Sequence, residues 1–231
     1  LLEQVCRKAG LSHRAWQDNE TQLTIFEGQS IGGLLDKVLE GHEGRELSPV
    51  FTPEVVQRIA SHGLSNLIRL LQGATPDYYL ADCPDGTVAG VAIRLSFTGS
   101  LPSRTFSQWS LRPGLPLQAT LFRQLETAAA WLRDCGGRQV NSSNVCLDVA
   151  VLTAPAVHGT VTHPDLRGVE SAQRAVLVSA PSQSSWVFDP CRSPEELVAE
   201  ACQYVQDPAR QGASIYSLRV VSTVQHWSAQ Q

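Results

Sequence analysis

The stretch Val145–Thr153, with the sequence VCLDVAVLT, decides the fold of this 231-residue chain. Three valines and two leucines stand within these nine residues. A composition so rich in β-branched and apolar side chains is typical of a strand. No other segment predicts a strand as clearly, and the remaining elements are assigned around it.

Several other segments on both sides of this stretch also predict strands. They combine β-branched and aromatic residues with flanking turn residues, which is the usual strand pattern. Two of them flank a short polar turn and predict a hairpin. The segments are Thr87–Phe97, Thr105–Leu111, Ala175–Ser179, Ser185–Asp189 and Ser214–Val224.

Helices are predicted mainly from their start signals. Thr52-Pro53-Glu54 combines a capping residue, a proline suited to the first turn and an acidic side chain that complements the helix dipole. Its helix should run to about Gln72. Ser193 and Glu196 form a capping-box pattern, and that helix should run to about Gln206. A third helix should run over residues 116–133. The sequence therefore predicts an α+β fold, mainly antiparallel sheet with three to four packing helices.

Composition excludes several classes of function. The net charge is −4, and no cluster of Lys and Arg offers the electrostatic footprint of a nucleic-acid-binding protein. No apolar run approaches the roughly 18 residues of a membrane span.

The six cysteines are scattered without a CxxC pair, which favours reduced thiols and a cytoplasmic location. The chain begins with Leu and contains no Met, so we expect it to be part of a longer protein.

The opening segment resembles a known family. Leu1–Phe26, with the core Cys6-Arg7-Lys8-Ala9-Gly10-Leu11 followed by Ala15-Trp16, resembles the C-terminal end of an AMMECR-type domain, as in protein A of the AmmeMemoRadiSam system. The resemblance implies an α+β fold and a family whose activity is not established. It is good over residues 1–26 and faint over 115–224.

The resemblance also implies a division of the chain. Residues 1–28 would be the tail of an upstream AMMECR-like domain, residues 29–49 a linker or short helix, and residues 50–231 a divergent module of the same type. The Leu-Arg-Gly-Cys-type motif of the family is not found. Its nearest counterpart, Arg94–Gly99, lacks the cysteine, which puts the role of that motif in doubt here.

Polar residues are densest in the segment His158–Gly168. It follows the strand Val145–Thr153, where site loops often lie, and Asp165 and Arg167 are candidate ligand-binding residues. His158, His163 and Asp165 carry atoms that suit zinc or iron. The His-x₄-His spacing is loose, however, and a surface loop in which Asp165 and Arg167 pair locally explains the segment better. The sequence therefore predicts no metal site.

A second candidate is the segment Asp189–Arg192. Cys191 precedes a helix N-terminus and stands beside Arg192, a setting that makes a thiol more reactive. Cys191 with His158 or His163 could form a nucleophile–base pair. The simpler alternative is a cysteine in the loop before a capped helix, with Arg192 as a further ligand-binding candidate.

These observations lead to two hypotheses about function. We favour a module that binds a protein partner or a small ligand and is not catalytic. The alternative is a thiol- or metal-dependent enzyme that uses the loops 158–167 and 189–192. No cofactor is predicted in either case, because glycine-rich phosphate loops are absent from the sequence.

Overall fold

The computed structural model describes residues 51–80, 83–84, 86–98, 102–111, 114–135 and 143–228. The predictions for residues 1–28 and 29–49 lie outside the described residues. The helices are α1 Pro53–Leu71, α2 Leu117–Asp134 and α3 Pro194–Gln203. The strands are β1 Thr87–Val88, β2 Gly90–Phe97, β3 Arg104–Trp109, β4 Leu115–Pro116, β5 Val145–Thr160, β6 His163–Pro164, β7 Arg174–Ser179, β8 Ser184–Phe188, β9 Ser214–Ser222 and β10 Trp227–Ser228.

Strand β5 lies in the middle of the main sheet. Its neighbours are β2 on one side and β9 on the other, and the described strands follow the order β10-β8-β7-β9-β5-β2-β3 with antiparallel pairing throughout. Val149, Ala150 and Val151 are all 0% exposed. Because successive side chains of a strand point to opposite faces, this run is buried on both faces. The predicted strand Val145–Thr153 and the α+β fold are confirmed.

Helices cover one face of the sheet. Helices α1 and α2 pack on β2 and β5, while α3 packs on β7 and β8. The Thr52 hydroxyl accepts a hydrogen bond from the Val55 N–H at 3.4 Å, and the Ser193–Glu196 capping box is present. Helix α3 stops at Gln203, three residues earlier than predicted. The Tyr204 N–H bonds to the Ala201 carbonyl three residues back, which tightens the last turn.

The opposite face of the sheet holds a second core. Trp186 and Trp227 are fully buried there, with ring centroids 5.7 Å apart. Arg94 of β2 lies over the Trp227 ring at 5.1 Å and donates a hydrogen bond to the His226 carbonyl at 3.0 Å. Since β2 and β10 stand far apart in the strand order, these contacts show that the sheet is curled around this core.

The end of β5 differs from the sequence-based prediction. His158 and Gly159 are predicted to lie in a loop, whereas the strand continues to Thr160. Its pairing with β9 shifts register between Thr153 and Ala156, and Ala154 has a φ of 45°. A proline such as Pro155 is tolerated in a strand at a bulge, where no ladder hydrogen bond is needed from it. The bulge allows the strand to continue past the proline.

Gly90 lies between β5 and β3 where the strands leave no room for a side chain. A Cβ there would lie 3.0 Å from a Leu152 methyl carbon and 3.1 Å from the Gln108 carbonyl oxygen. We predict that Gly90→Val lowers the free energy of unfolding by about 1–3 kcal/mol, as overpacking does. Urea denaturation measures this.

The control is Thr105→Val on β3, where the side chain is only half-buried. It should change stability by less than about 0.5 kcal/mol, as expected for a substitution away from the core. Equal effects of the two substitutions would show that the close approach at Gly90 does not constrain the sheet.

Candidate functional site

Strands β5, β9 and β7 carry a polar network built around Ser217. The Ser217 Oγ lies 2.7 Å from His158 Nε2 and accepts a hydrogen bond from Arg174 Nε at 2.8 Å. Ser217 is buried, with 1% exposure. The bulge in β5 leads the strand on to His158, and the pairing of Val176 with Ser217 brings Arg174, two residues earlier on β7, diagonally opposite Ser217. The network thus joins residues that are distant in sequence.

The hydrogen bonds of this network have a definite direction. His158 Nδ1 lies 2.9 Å from the Asp165 carbonyl oxygen, which can only accept, so Nδ1 must carry a proton. The Ser217 hydroxyl accepts from Arg174 and has its own proton left to donate to His158 Nε2. In the neutral imidazole, Nδ1 therefore carries the proton and Nε2 is the acceptor that faces the Ser217 hydroxyl.

Arg174 also holds the bulge of β5 in place. Its Nη2 donates to the Ala154 carbonyl at 2.6 Å and to the Ser217 carbonyl at 3.1 Å. Burial lowers the pKa of Arg174, and the nearby Arg219 lowers it further, whereas Glu170 acts in the opposite direction. Hydrogen bonds from a charged donor are stronger than neutral ones, so Arg174 is a firm link between β7, β9 and the bulge.

Asp165 and Arg167 pair with each other on the surface. The two side chains make hydrogen bonds of 2.6 and 2.7 Å. These contacts with Arg167 lower the pKa of Asp165 to about 2. The carboxylate stays charged at neutral pH, and the pairing would be lost only as the pH falls through about 2. This is the local pair that the surface-loop interpretation anticipated.

Cys191 and Arg192 lie elsewhere, at the start of α3. The Cys191 N–H donates to Asp189 Oδ1 at 2.9 Å, and the thiol is exposed. Arg192 contacts the Glu200 carboxylate and donates to the Glu196 carbonyl, and the hydrogen bond to Glu200 raises its pKa. Arg192 is thus held by α3.

The structure brings together only some of the predicted site residues. His158 and Asp165 are in direct contact, and Arg167 joins them through its pair with Asp165. Within the part of the chain that is described, the Cys191 thiol has no hydrogen-bond partner and so makes no hydrogen bond with His158. A different histidine contacts this loop: His226 Nδ1 lies 3.4 Å from Asp189 Oδ2. The Cys191–His158 pair stays a prediction.

In the segment His158–Gly168, the candidate metal ligands have partners within the protein. His163 Nδ1 lies 3.0 Å from the Thr162 hydroxyl, and Asp165 is occupied by Arg167. Among the described residues, no group of three or more His, Cys, Asp or Glu side chains is arranged so that it could hold a metal ion.

Two residues of the network, Ser217 and Arg174, were not predicted from the sequence. Ser217 lies 59 positions from His158, so no local motif links them. One feature of the sequence could have indicated Ser217. It stands between Ile215 and Arg219 in a strand that is otherwise largely apolar. A polar residue on a face that also carries buried apolar side chains requires a hydrogen-bond partner.

Comparison with known proteins adds information about the fold alone. No protein-family model matches the chain, and no curated protein matches it. A solved structure, described as an uncharacterized protein PH0010 from Pyrococcus horikoshii, superposes with a TM-score of 0.54 at 17% sequence identity. The match covers 72% of this chain and 89% of that one. Within the described ranges, no helix is both long and apolar enough to cross a bilayer.

Removal of the Ser217 hydroxyl tests whether the network stabilises the fold. Ser217→Ala leaves His158 Nε2 and Arg174 Nε without their partner. A buried group left without its hydrogen-bond partner costs about 1–3 kcal/mol. Because His158 and Arg174 are only partly buried, we predict that the two together lower the free energy of unfolding by about 1–3 kcal/mol. Urea denaturation measures it.

Ser184→Ala provides the matched control. This serine is half-buried on β8, and its hydroxyl makes no hydrogen bond with any described residue. The control should be within about 0.5 kcal/mol of the parent protein. If Ser217→Ala were equally mild, the network would not contribute to stability.

Proposed function

We propose that this chain is an AMMECR-like module of a larger cytoplasmic protein, and that it binds a protein partner or a small ligand without catalysing a reaction. The binding surface would be the end of β5 together with the segment up to Gly168. The resemblance of Leu1–Phe26 to the end of an AMMECR-type domain and the α+β fold of residues 51–228 support the family assignment. The thiols of Cys135, Cys146, Cys191 and Cys202 are free, which is compatible with a reducing compartment.

The saturation of His158 by structural hydrogen bonds carries the non-catalytic part of the proposal. Both ring nitrogens already have partners within the protein, the Asp165 carbonyl and the Ser217 hydroxyl. A general base must be within hydrogen-bond reach of the group that it deprotonates. To serve Cys191, His158 would have to leave both partners, which argues against the thiol-enzyme alternative.

The Ser217–His158 contact itself resembles a nucleophile beside a base, but burial argues against that role as well. A serine nucleophile must reach a substrate carbonyl or phosphorus atom. With 1% of its surface exposed, Ser217 has no access to a substrate. Its hydroxyl instead links Arg174 to His158, a role that a folded binding surface requires.

Alkylation of Cys191 distinguishes the two hypotheses. We predict that His158→Ala changes the rate at which iodoacetamide modifies Cys191 by less than about twofold, because both ring nitrogens of His158 bond to other groups. Mass spectrometry of the peptide that contains Cys191 measures the rate. His163→Ala tests the other candidate base in the same way, and the same small effect is expected.

A nucleophile–base pair would give the opposite result. A thiol that loses its activating base reacts more slowly, because the thiolate is the reactive species. A decrease of about tenfold or more in either histidine variant would establish the thiol-enzyme alternative and overturn the proposal. Circular dichroism of each variant verifies that the fold is retained.

A further inference from the structure

Two arginines face each other across strands β7 and β9. Arg174 and Arg219 are register partners, and the Val220 N–H donates to the Gln173 carbonyl beside them at 2.9 Å. That bond marks the Arg174–Arg219 position as a non-hydrogen-bonded pair, in which side chains approach most closely. Side chains at such positions have Cβ atoms roughly 5 Å apart. The two guanidinium groups therefore start from adjacent points on one face of the sheet.

The pair lies on the helix-covered face of the sheet, between the part that α3 covers and the part that α1 and α2 cover. Along β9, Ile215 packs in the core beneath α3, and Val221 packs against the core beneath α1 and α2. Ser217 and Arg219 stand between them on the same face, because alternate residues of a strand share a face. Arg219 is exposed, whereas Arg174 is half-buried. The pair thus lies at a partly open position of an otherwise covered face.

Among the described residues, no acidic side chain is hydrogen-bonded to either arginine of the pair. Like charges directly opposite each other destabilise an antiparallel pair. Glu170 is close enough to influence the pKa of Arg174, yet it makes no ion pair with either arginine. Across the described ranges, the Arg219 guanidinium has no hydrogen-bond partner and no ion-pair partner. A folded protein that keeps two such cations adjacent gains free energy when an anion binds between them.

Arg174 is also preorganised as a donor. Its Nε and Nη2 are committed to Ser217 and Ala154, which fixes the guanidinium plane. The Nη1 group has no hydrogen-bond partner in the described part of the chain. A donor that is already immobilised binds a ligand with a smaller loss of conformational entropy. Arg174 therefore offers a fixed contact, and Arg219 offers an exposed one.

We propose that Arg174 and Arg219 form a binding site for a doubly charged phosphate group of a small molecule. A phosphate monoester carries up to two negative charges and three terminal oxygens, which match two guanidinium groups in charge and in hydrogen-bond donors. A carboxylate carries one charge and would leave one cation unbalanced. The inference rests on the proposed function, since it names the class of small ligand that the module binds. The site adjoins the proposed binding surface, because Arg174 contacts the Ala154 carbonyl in the bulge of β5.

Titration of the whole chain with inorganic phosphate tests this site. The Nε–H signals of Arg174 and Arg219 are followed by NMR at constant, low ionic strength, because salt screens exposed charges. Both signals should shift with saturation. Arg219→Ala should weaken phosphate binding by about tenfold or more, the effect expected from loss of a charge-assisted hydrogen bond. Arg219 is exposed, so the variant should keep its fold, and the amide spectrum verifies this.

Arg210→Ala is the matched control, because Arg210 is an exposed arginine outside the pair. It should leave phosphate affinity unchanged within about twofold. Acetate, at the same ionic strength, should bind at least about tenfold more weakly than phosphate. Equal weakening by both arginine variants, no saturable binding of phosphate, or acetate affinity equal to that of phosphate would each overturn the phosphate site.

The outcome is separable from the test of the proposed function. That test follows alkylation of Cys191 and does not involve either arginine. A chain without a phosphate site but with histidine-independent alkylation would retain the non-catalytic proposal and lose only the ligand class. A chain whose alkylation depends on His158 would lose the proposed function, whatever its affinity for phosphate.

Discussion

The hydrogen bonds of Arg174 are the interaction on which the candidate site depends. One side chain contacts Ser217 through its hydroxyl and its carbonyl, and contacts the Ala154 carbonyl in the bulge of β5. A non-glycine residue with positive φ, such as Ala154, is strained and persists only where its surroundings hold it. The contact with Arg174 supplies that support. Strand β5 can then continue past the bulge and present His158 to Ser217.

The hydrogen bonds of Arg174 also explain why two positive charges, those of Arg174 and Arg219, lie side by side on the sheet. Because Arg174 is needed to hold the bulge, its charge remains beside Arg219 although the two repel each other. The pair is therefore a product of the architecture, and an anionic ligand is one means of balancing it. Asp165 does not provide that balance, since its carboxylate is already bound to Arg167.

Much of the fold could be predicted from local patterns. The strand Val145–Thr153 and the caps at Thr52 and Ser193 depend on residues that are close in sequence, so the chain itself reveals them. The continuation of β5 beyond Pro155 could not be predicted, because its support comes from Arg174, about 20 positions further on. The early end of α3 likewise depends on how its last turn closes.

Only part of the candidate site could be predicted from local sequence patterns. His158 and Asp165 stand in a dense polar segment, and the structure joins them. Their partners Ser217 and Arg174 reach them through strand pairing, which a single sequence does not disclose. Chemical character alone suggested joining Cys191 to His158, yet the fold commits both ring nitrogens of His158 to other groups.

The tautomer of His158 tests the account most directly. Long-range ¹H–¹⁵N NMR of the whole chain, at mildly alkaline pH, reports which ring nitrogen carries the proton. The directional chain from Arg174 through Ser217 predicts a proton on Nδ1 and none on Nε2. A proton on Nε2, or rapid exchange between the two tautomers, would contradict the network and with it the arrangement of the site.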